Sequence, residues 1–186
     1  MEIQMAKTLL IIDVQNDYFK DGNMELAGMD NASENCRHLL NRFREDNAPI
    51  FHIQHIATRK GSTFFLQNTK GSEIHESVKP KEKETVVVKH FPNAFRDTEL
   101  HGILQNSDAN ELVVCGAMTH MCIDTTIRAA FDLRYTCNLI SDACATKDLE
   151  FEERTIKASE VQAAFMASLG IPFAKVVTTK EFLKNA

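Results

Sequence analysis

Apolar residues fall along the chain in short continuous runs that alternate with stretches of helical spacing. Thr8 to Val14 (TLLIIDV) is an apolar run containing a single acid, the pattern of a strand covered on both faces. After a polar loop, Asp30 or Asn31 is placed to cap a helix. Its Leu39, Leu40 and Phe43 recur at helical spacing, and it stops before Pro49. The alternation continues with strands at Pro49 to Ile56, Thr85 to Val88, Glu111 to Cys115, Cys137 to Ile140 and Lys175 to Val177. Helices are expected at Asp97 to Gln105, Thr119 to Leu133 and about Glu152 to Leu169. Such alternation implies right-handed crossovers and a parallel sheet. The fold predicted is α/β: a Rossmann-like, three-layer α/β/α arrangement on a six-stranded parallel sheet of order 3-2-1-4-5-6. One connection breaks the rhythm. Thr58 to Glu84 carries Gly61, Gly71, Pro80 and many charges without periodicity, and a loop that long is expected to form a lid or an oligomer contact, or to hide a short helix.

Length and composition narrow the picture. The 186 residues suit one domain spanning 1–186. Apolar residues make up 44% and charged residues 25%, ordinary for a globular protein. A formal net charge of -5 with no Lys/Arg cluster excludes a nucleic-acid footprint, which needs a basic stripe. No apolar run is long enough for a membrane span and no secretory leader is evident, so the expectation is a soluble, cytoplasmic protein. The five cysteines are odd in number and lack C-x-x-C pairing, which argues against a disulfide framework or zinc ribbon and fits a reducing compartment.

Candidate chemistry sits at strand ends, where open parallel sheets bind their ligands. Asp13 lies at the end of strand one, Lys89 at the end of strand three, and Cys122 in the first turn after strand four. The expected strand order sets strands one and four side by side, with Asp13 facing Cys122 across the reversal. A helix N-terminus and a nearby cation are expected to lower the Cys122 thiol pKa. Asp13 is placed to take the thiol proton and return it to a leaving amine. Pairing with Asp13 would offset the cost of burying Lys89. Each residue also has a plain structural reading, as a turn cap, a solvated lysine or a packed thiol.

Three motifs give the chain a resemblance to the isochorismatase-like cysteine hydrolase family, over almost its whole length. They are Leu9 to Phe19 (LLIIDVQNDYF), Val88 to Phe95 (VKHFPNAF) and Gly116 to Ile123 (GAMTHMCI). The resemblance implies a triad of Asp13, Lys89 and Cys122, a cis peptide just before Met118, and an oxyanion hole built from the N–H groups of Met118 and Cys122. It suggests Phe19, Phe91 and His120 as substrate contacts, with Tyr18, His55, Phe64, Phe95 and Met121 as further candidates for the pocket. No cofactor or metal is called for: the Asp-x-His metal motif of the family's nicotinamidases is absent, the stretch here reading Ile53-Gln54-His55-Ile56. Isochorismatases that cleave a vinyl ether lack the thiol, so Cys122 points to a small-molecule amide, ureido or carbamoyl substrate. The family resemblance also implies a homo-oligomer, dimer or tetramer. A catalytically inactive ligand-binding protein, a vinyl-ether isochorismatase and a cysteine redox sensor remain alternatives at this stage.

Overall fold

A computed structural model describes residues 7–107 and 109–184. Six strands form one parallel sheet: β1 (Lys7–Ile12), β2 (Ile50–His55), β3 (Thr85–Lys89), β4 (Glu111–Ala117), β5 (Thr136–Ala145) and β8 (Lys175–Val177). Their order is β3-β2-β1-β4-β5-β8. This is the predicted order, with the sixth sheet strand renumbered because two short strands, β6 (Leu149–Phe151) and β7 (Arg154–Ile156), intervene as a separate antiparallel pair.

The pleat divides the core between two faces. Leu9, Ile11, Val113 and Cys115 pack beneath α1 (Met29–Glu45) and α5 (Thr179–Lys184), with Leu39, Leu40, Phe43 and Phe182. Leu10, Ile12, Leu112 and Val114 pack on the opposite side against α2 (Leu100–Asn106), α3 (Asp124–Asp132) and α4 (Ala158–Leu169), with Leu104, Ile127 and Leu169. Successive strand residues point to opposite faces, so uninterrupted apolar runs are what a sheet covered on both sides requires.

Several predicted boundaries move. Helix α1 begins at Met29 behind Gly28, whose φ of 72° suits glycine; Asp30 and Asn31 therefore lie in the first turn, and neither is the cap. Helix α2 starts at Leu100 and not at Asp97, because Asp97 has a φ of 55° and the Thr98 hydroxyl receives the Leu100 N–H. The stretch assigned to a helix from Glu152 is hairpin up to Ile156, turning at Glu152 with a φ of 53°. Glu150, Glu152, Glu153 and Arg154 supply no apolar stripe to bury. The helix starts at Ala158, where Asp148 receives the Ala158 N–H and Glu160 the Lys157 N–H. Strand β5 runs past the predicted Ile140 to Ala145, and the short α5 had no counterpart in the sequence reading.

The long connection from Thr58 to Glu84 holds two one-turn 3-10 segments, Lys70–Ser72 and Glu76–Val78, and is otherwise irregular. It is firmly tied down by the residues just after β1. The Gln15 side chain donates to Ser72 O at 2.8 Å, the Asn16 side chain to Lys70 O at 2.7 Å, and Asp17 Oδ2 accepts the Phe65 N–H at 2.6 Å. Gly71 presses on Asp17 so closely that an added Cβ would stand 2.2 Å from Asp17 Oδ1. At its far end Glu84 accepts two bonds from Arg44 on α1 and contacts His52 Nε2 at 3.0 Å. Those partners, with the Lys81 N–H, overcome the opposing effect of burial and hold the Glu84 carboxyl down at about 2.

Candidate active site

Four strands deliver their ends to one place. Backbone strain marks the first: Asp13, just past β1, has a φ of 51°. Aspartate tolerates that left-handed region better than most residues, and its N–H donates to Ile53 O at 2.9 Å. Lys89 closes β3 in register with His55, which closes β2. Cys122 follows β4 on a π-helical turn, Thr119–Ile123, that opens into α3. The predicted continuous helix from Thr119 is thus two segments. Met118 O accepts both the Met121 and Ile123 N–H groups there, and the Ala117–Met118 peptide is cis. Gly116 makes the approach of β4 to β1 possible, since a Cβ on it would stand 1.9 Å from Ile12 O.

Lys89 is the hub. Its ammonium is fully buried, 2.7 Å from Asp13 Oδ2, 3.0 Å from His55 Nδ1 and 3.2 Å from Cys122 Sγ. An ammonium has three protons and no lone pair, so all three are committed and each partner must be an acceptor. Burial by itself would pull the lysine down, but the Asp13 carboxylate and Cys122 outweigh it, and the ammonium is held above its ordinary value. The other carboxylate oxygen, Asp13 Oδ1, is buried without a hydrogen-bond partner among the described residues.

The thiol departs from expectation. A helix N-terminus and a cation were expected to lower its pKa; instead burial, reinforced by Asp13, raises it, and Lys89 only partly opposes the rise. Cys122 is a thiol at rest, not a thiolate. Attack by sulfur therefore requires a base at the moment of reaction, and the carboxylate beside it is the available one.

His55 is pushed down to about 4, first by burial and then by the Lys89 ammonium, with Asp13 opposing. The neutral ring must present the Nδ1 lone pair to Lys89 and carry its proton on Nε2. Its backbone is pinned from both sides by Gln15, which accepts the His55 N–H at 2.8 Å and donates to His55 O at 2.9 Å. His55 was a pocket candidate on sequence, but nothing in a lone histidine on a strand signalled contact with the lysine. The polar pair Gln15-Asn16, directly downstream of the strand-end acid, was the legible hint that a polar anchor was needed there.

Asp13, His55 and Cys122 each offer a ligand atom, all within 4.8 Å of one another. A metal does not fit among them, because the Lys89 ammonium already bonds all three donors and a second cation would meet it at close range.

The suggested substrate contacts scatter. Phe91 lines a cavity of about 510 Å³ together with His55, Phe64 and Phe65, and the Arg96 guanidinium sits 3.6 Å over its ring. Phe19 is buried and stacks on His75 with centroids 3.5 Å apart, and is not among the residues that line that cavity. His120 shares the π-helical turn with Cys122, but its Nδ1 is 2.6 Å from Thr146 Oγ1. Phe95 stacks near Tyr135 at 6.0 Å. Tyr18 is buried against Phe65 at 4.7 Å, and its phenol is raised by burial first and further by the nearby Asp13 and Asp17 carboxylates.

The family model of the isochorismatase domain matches residues 7–180. The chain belongs to the isochorismatase family. It is 51% identical over 180 residues to the uncharacterized isochorismatase family protein YddQ of Bacillus subtilis, covering 97% of this chain and 100% of that one. A crystal structure from Oleispira antarctica described as an isochorismatase hydrolase superposes with a TM-score of 0.94 at 44% identity, covering 99% of each chain. Streptothricin hydrolase of Streptomyces noursei is 33% identical over 147 residues, 79% of this chain and 57% of its own length. The chain is thus an isochorismatase-family hydrolase carrying a buried Asp-Lys-Cys arrangement.

Proposed function

We propose that the protein is a cysteine-dependent hydrolase of small amide, ureido or carbamoyl substrates, acting through an acyl-enzyme on Cys122. The observation that supports this most directly is the single ammonium bonded to both Asp13 and Cys122, at 2.7 and 3.2 Å. As the Cys122 sulfur attacks the carbonyl carbon, its proton passes to Asp13 and a C–S bond forms. Negative charge collects on the carbonyl oxygen, for which the N–H groups of Met118 and Cys122 are the proposed donors. Such donors are commonly worth about 3–4 kcal/mol of barrier. The tetrahedral adduct collapses with cleavage of C–N, and Asp13 returns the proton to the departing nitrogen. Asp13 then takes a proton from water, whose oxygen attacks the thioester carbon; the C–S bond breaks, Asp13 passes that proton to the departing sulfur, and the acid is released with the thiol and the carboxylate restored. Lys89 keeps its three protons throughout and acts by holding the carboxylate, the sulfur and His55 in fixed relation. The relative named for hydrolysis of streptothricin supports hydrolytic chemistry in this family branch without fixing a substrate here.

The test is a panel of primary amides, ureido acids and carbamoyl compounds read by ammonia release, with Cys122→Ala alongside. Turnover in the native protein, absence of turnover in Cys122→Ala, and an acyl adduct on the Cys122 peptide by mass spectrometry are expected. Undiminished turnover in Cys122→Ala would refute the covalent route.

A further inference from the structure

Resting on that reading, we propose that Gln162, on α4, is a positioning residue for the hydrolytic step: its carboxamide, bonded to the Thr119 hydroxyl, sets the π-helical turn that carries Cys122 and the proposed oxyanion donors. The need for such a residue starts in β5. Val114 of β4 pairs with Leu139 and Gly116 with Cys144, so between these pairs β4 has one residue, Cys115, and β5 has four, 140–143. A bulge takes backbone groups out of the ladder, and they need other partners. Side chains supply them here. Asn35 donates to Asp142 O at 2.7 Å, the Cys36 thiol to Ala143 O at 3.3 Å, and Gln162 Nε2 to Ser141 O at 3.0 Å and Cys144 O at 3.4 Å. Both protons of the Gln162 amide are thus spent on carbonyls, and the reverse orientation would set Oε1 against two oxygens. Oε1 therefore faces Thr119 Oγ1, 2.6 Å away, and accepts. Thr119 has one hydroxyl proton, and Gln162 is better placed for it than Ala145 O at 3.2 Å.

Thr119 opens the turn, directly after Met118 and three residues before Cys122. Met118 O accepts the N–H groups of both Met121 and Ile123, so the turn is tied to itself, and its placement against β5 decides where the Met118 and Cys122 N–H groups stand. A second tether on that side is His120, whose Nδ1 lies 2.6 Å from Thr146 Oγ1. The Cys122 sulfur has its own hold in Lys89, 3.2 Å away. Loss of the Gln162 bond therefore leaves the sulfur beside the ammonium and loosens the backbone around it. What suffers is the aim of the oxyanion donors, not the presence of the nucleophile. Such donors act through position, and a misplacement of about 1 Å costs on the order of a hundredfold in rate.

Two reactions of Cys122 separate aim from presence. p-Nitrophenyl acetate acylates the sulfur through a tetrahedral oxyanion: the C–S bond forms, the thiol proton passes to Asp13, the ester C–O bond breaks and p-nitrophenolate leaves. Iodoacetamide alkylates the same sulfur by direct displacement of iodide, with no oxyanion. Both rates are followed on the full chain by mass spectrometry of the Cys122 peptide. Gln162→Leu is expected to slow acylation by about tenfold to a hundredfold while alkylation stays within about twofold of the native rate. Thr119→Val, which keeps the shape and removes the hydroxyl, should do the same, and Thr119→Ser should recover most of that loss. The double variant Gln162→Leu/Thr119→Val should be no slower than the slower single one, since both remove one bond. Gln162→Leu also strips two β5 carbonyls of their donor; if it does not fold, Thr119→Val, which leaves those two bonds in place, carries the test. Equal slowing of both reactions, unchanged acylation in Thr119→Val, or losses that add in the double variant would overturn the inference. Native Cys122 that alkylates but never acylates would sink the hydrolase reading and this one with it, whereas native acylation with unaltered rates in the variants would sink this one alone.

Discussion

Replacing Lys89 with methionine removes the one group to which three others are bonded. The substitution keeps the stem length and deletes the ammonium, so Asp13 Oδ2, His55 Nδ1 and Cys122 Sγ lose partners at 2.7, 3.0 and 3.2 Å together. Asp13 has no exposed surface, and its second oxygen is already without a partner among the described residues. An uncompensated buried carboxylate results, and breaking one side of a buried pair costs about 3–5 kcal/mol. For a chain of this size each kcal/mol moves the melting temperature by about 2–4 °C, so a fall of roughly 6–20 °C is expected. Urea titration at pH 7 and calorimetry measure it. A second substitution, Asp13→Asn, should then recover more than half of the loss, because asparagine also tolerates a positive φ and carries no charge. Both variants are expected to be inactive, which separates the stability effect from catalysis. A loss below about 1 kcal/mol in Lys89→Met, or a double variant less stable than Lys89→Met, would refute the view that this lysine exists to compensate a buried charge.

Acid stability should carry the mark of His55. The unfolded chain takes up a proton near pH 6.5, whereas the folded ring resists it down to about 4. Stability is therefore complete above about pH 6.5 and is lost as pH falls toward 4, by up to roughly 3 kcal/mol at 1.4 kcal/mol per pH unit. Urea midpoints of the native chain and His55→Gln across that window check it, and identical slopes would contradict the assignment. In the resting protein, iodoacetamide should label Cys122 more slowly than a free thiol at pH 7, with the rate climbing above pH 9 because burial and Asp13 raise the thiol; fast labelling with an inflection below neutrality would indicate a resting thiolate. Gly71→Ala drives a methyl group into Asp17, and should cost about 1–3 kcal/mol while speeding proteolysis between 58 and 84, with wild-type cleavage rates counting against the anchoring described above.

Much of the architecture could be read from the chain because a sheet buried on both faces imposes a local pattern. The continuous apolar runs of β1, β2 and β4 and the spaced leucines of α1 each carry their own evidence, and chain alternation with the handedness of crossovers supplies the rest. Sequence reasoning failed where tertiary contacts override local pattern. The hairpin at Glu150 to Arg154 has no apolar periodicity of either kind, α5 is too short to show one, and the π-helical turn before α3 cannot be told from an α-helix by spacing. The Thr58 to Glu84 stretch looked loose because its bonds go to Gln15, Asn16, Asp17 and Arg44, residues far off in sequence.

Strand termini and alternation are local properties, so the order of residues already names the reactive groups and brings them to one edge of the sheet, at strand ends or, for Cys122, on the turn just beyond one. The state of each group comes from packing. That the cysteine rests as a thiol, that the histidine is neutral with its proton on the outer nitrogen, and that one ammonium serves three acceptors all depend on desolvation and on distances of about three ångströms between residues of four different segments. Electrostatic energies in a buried site vary steeply with both quantities, and neither is written in the order of the residues.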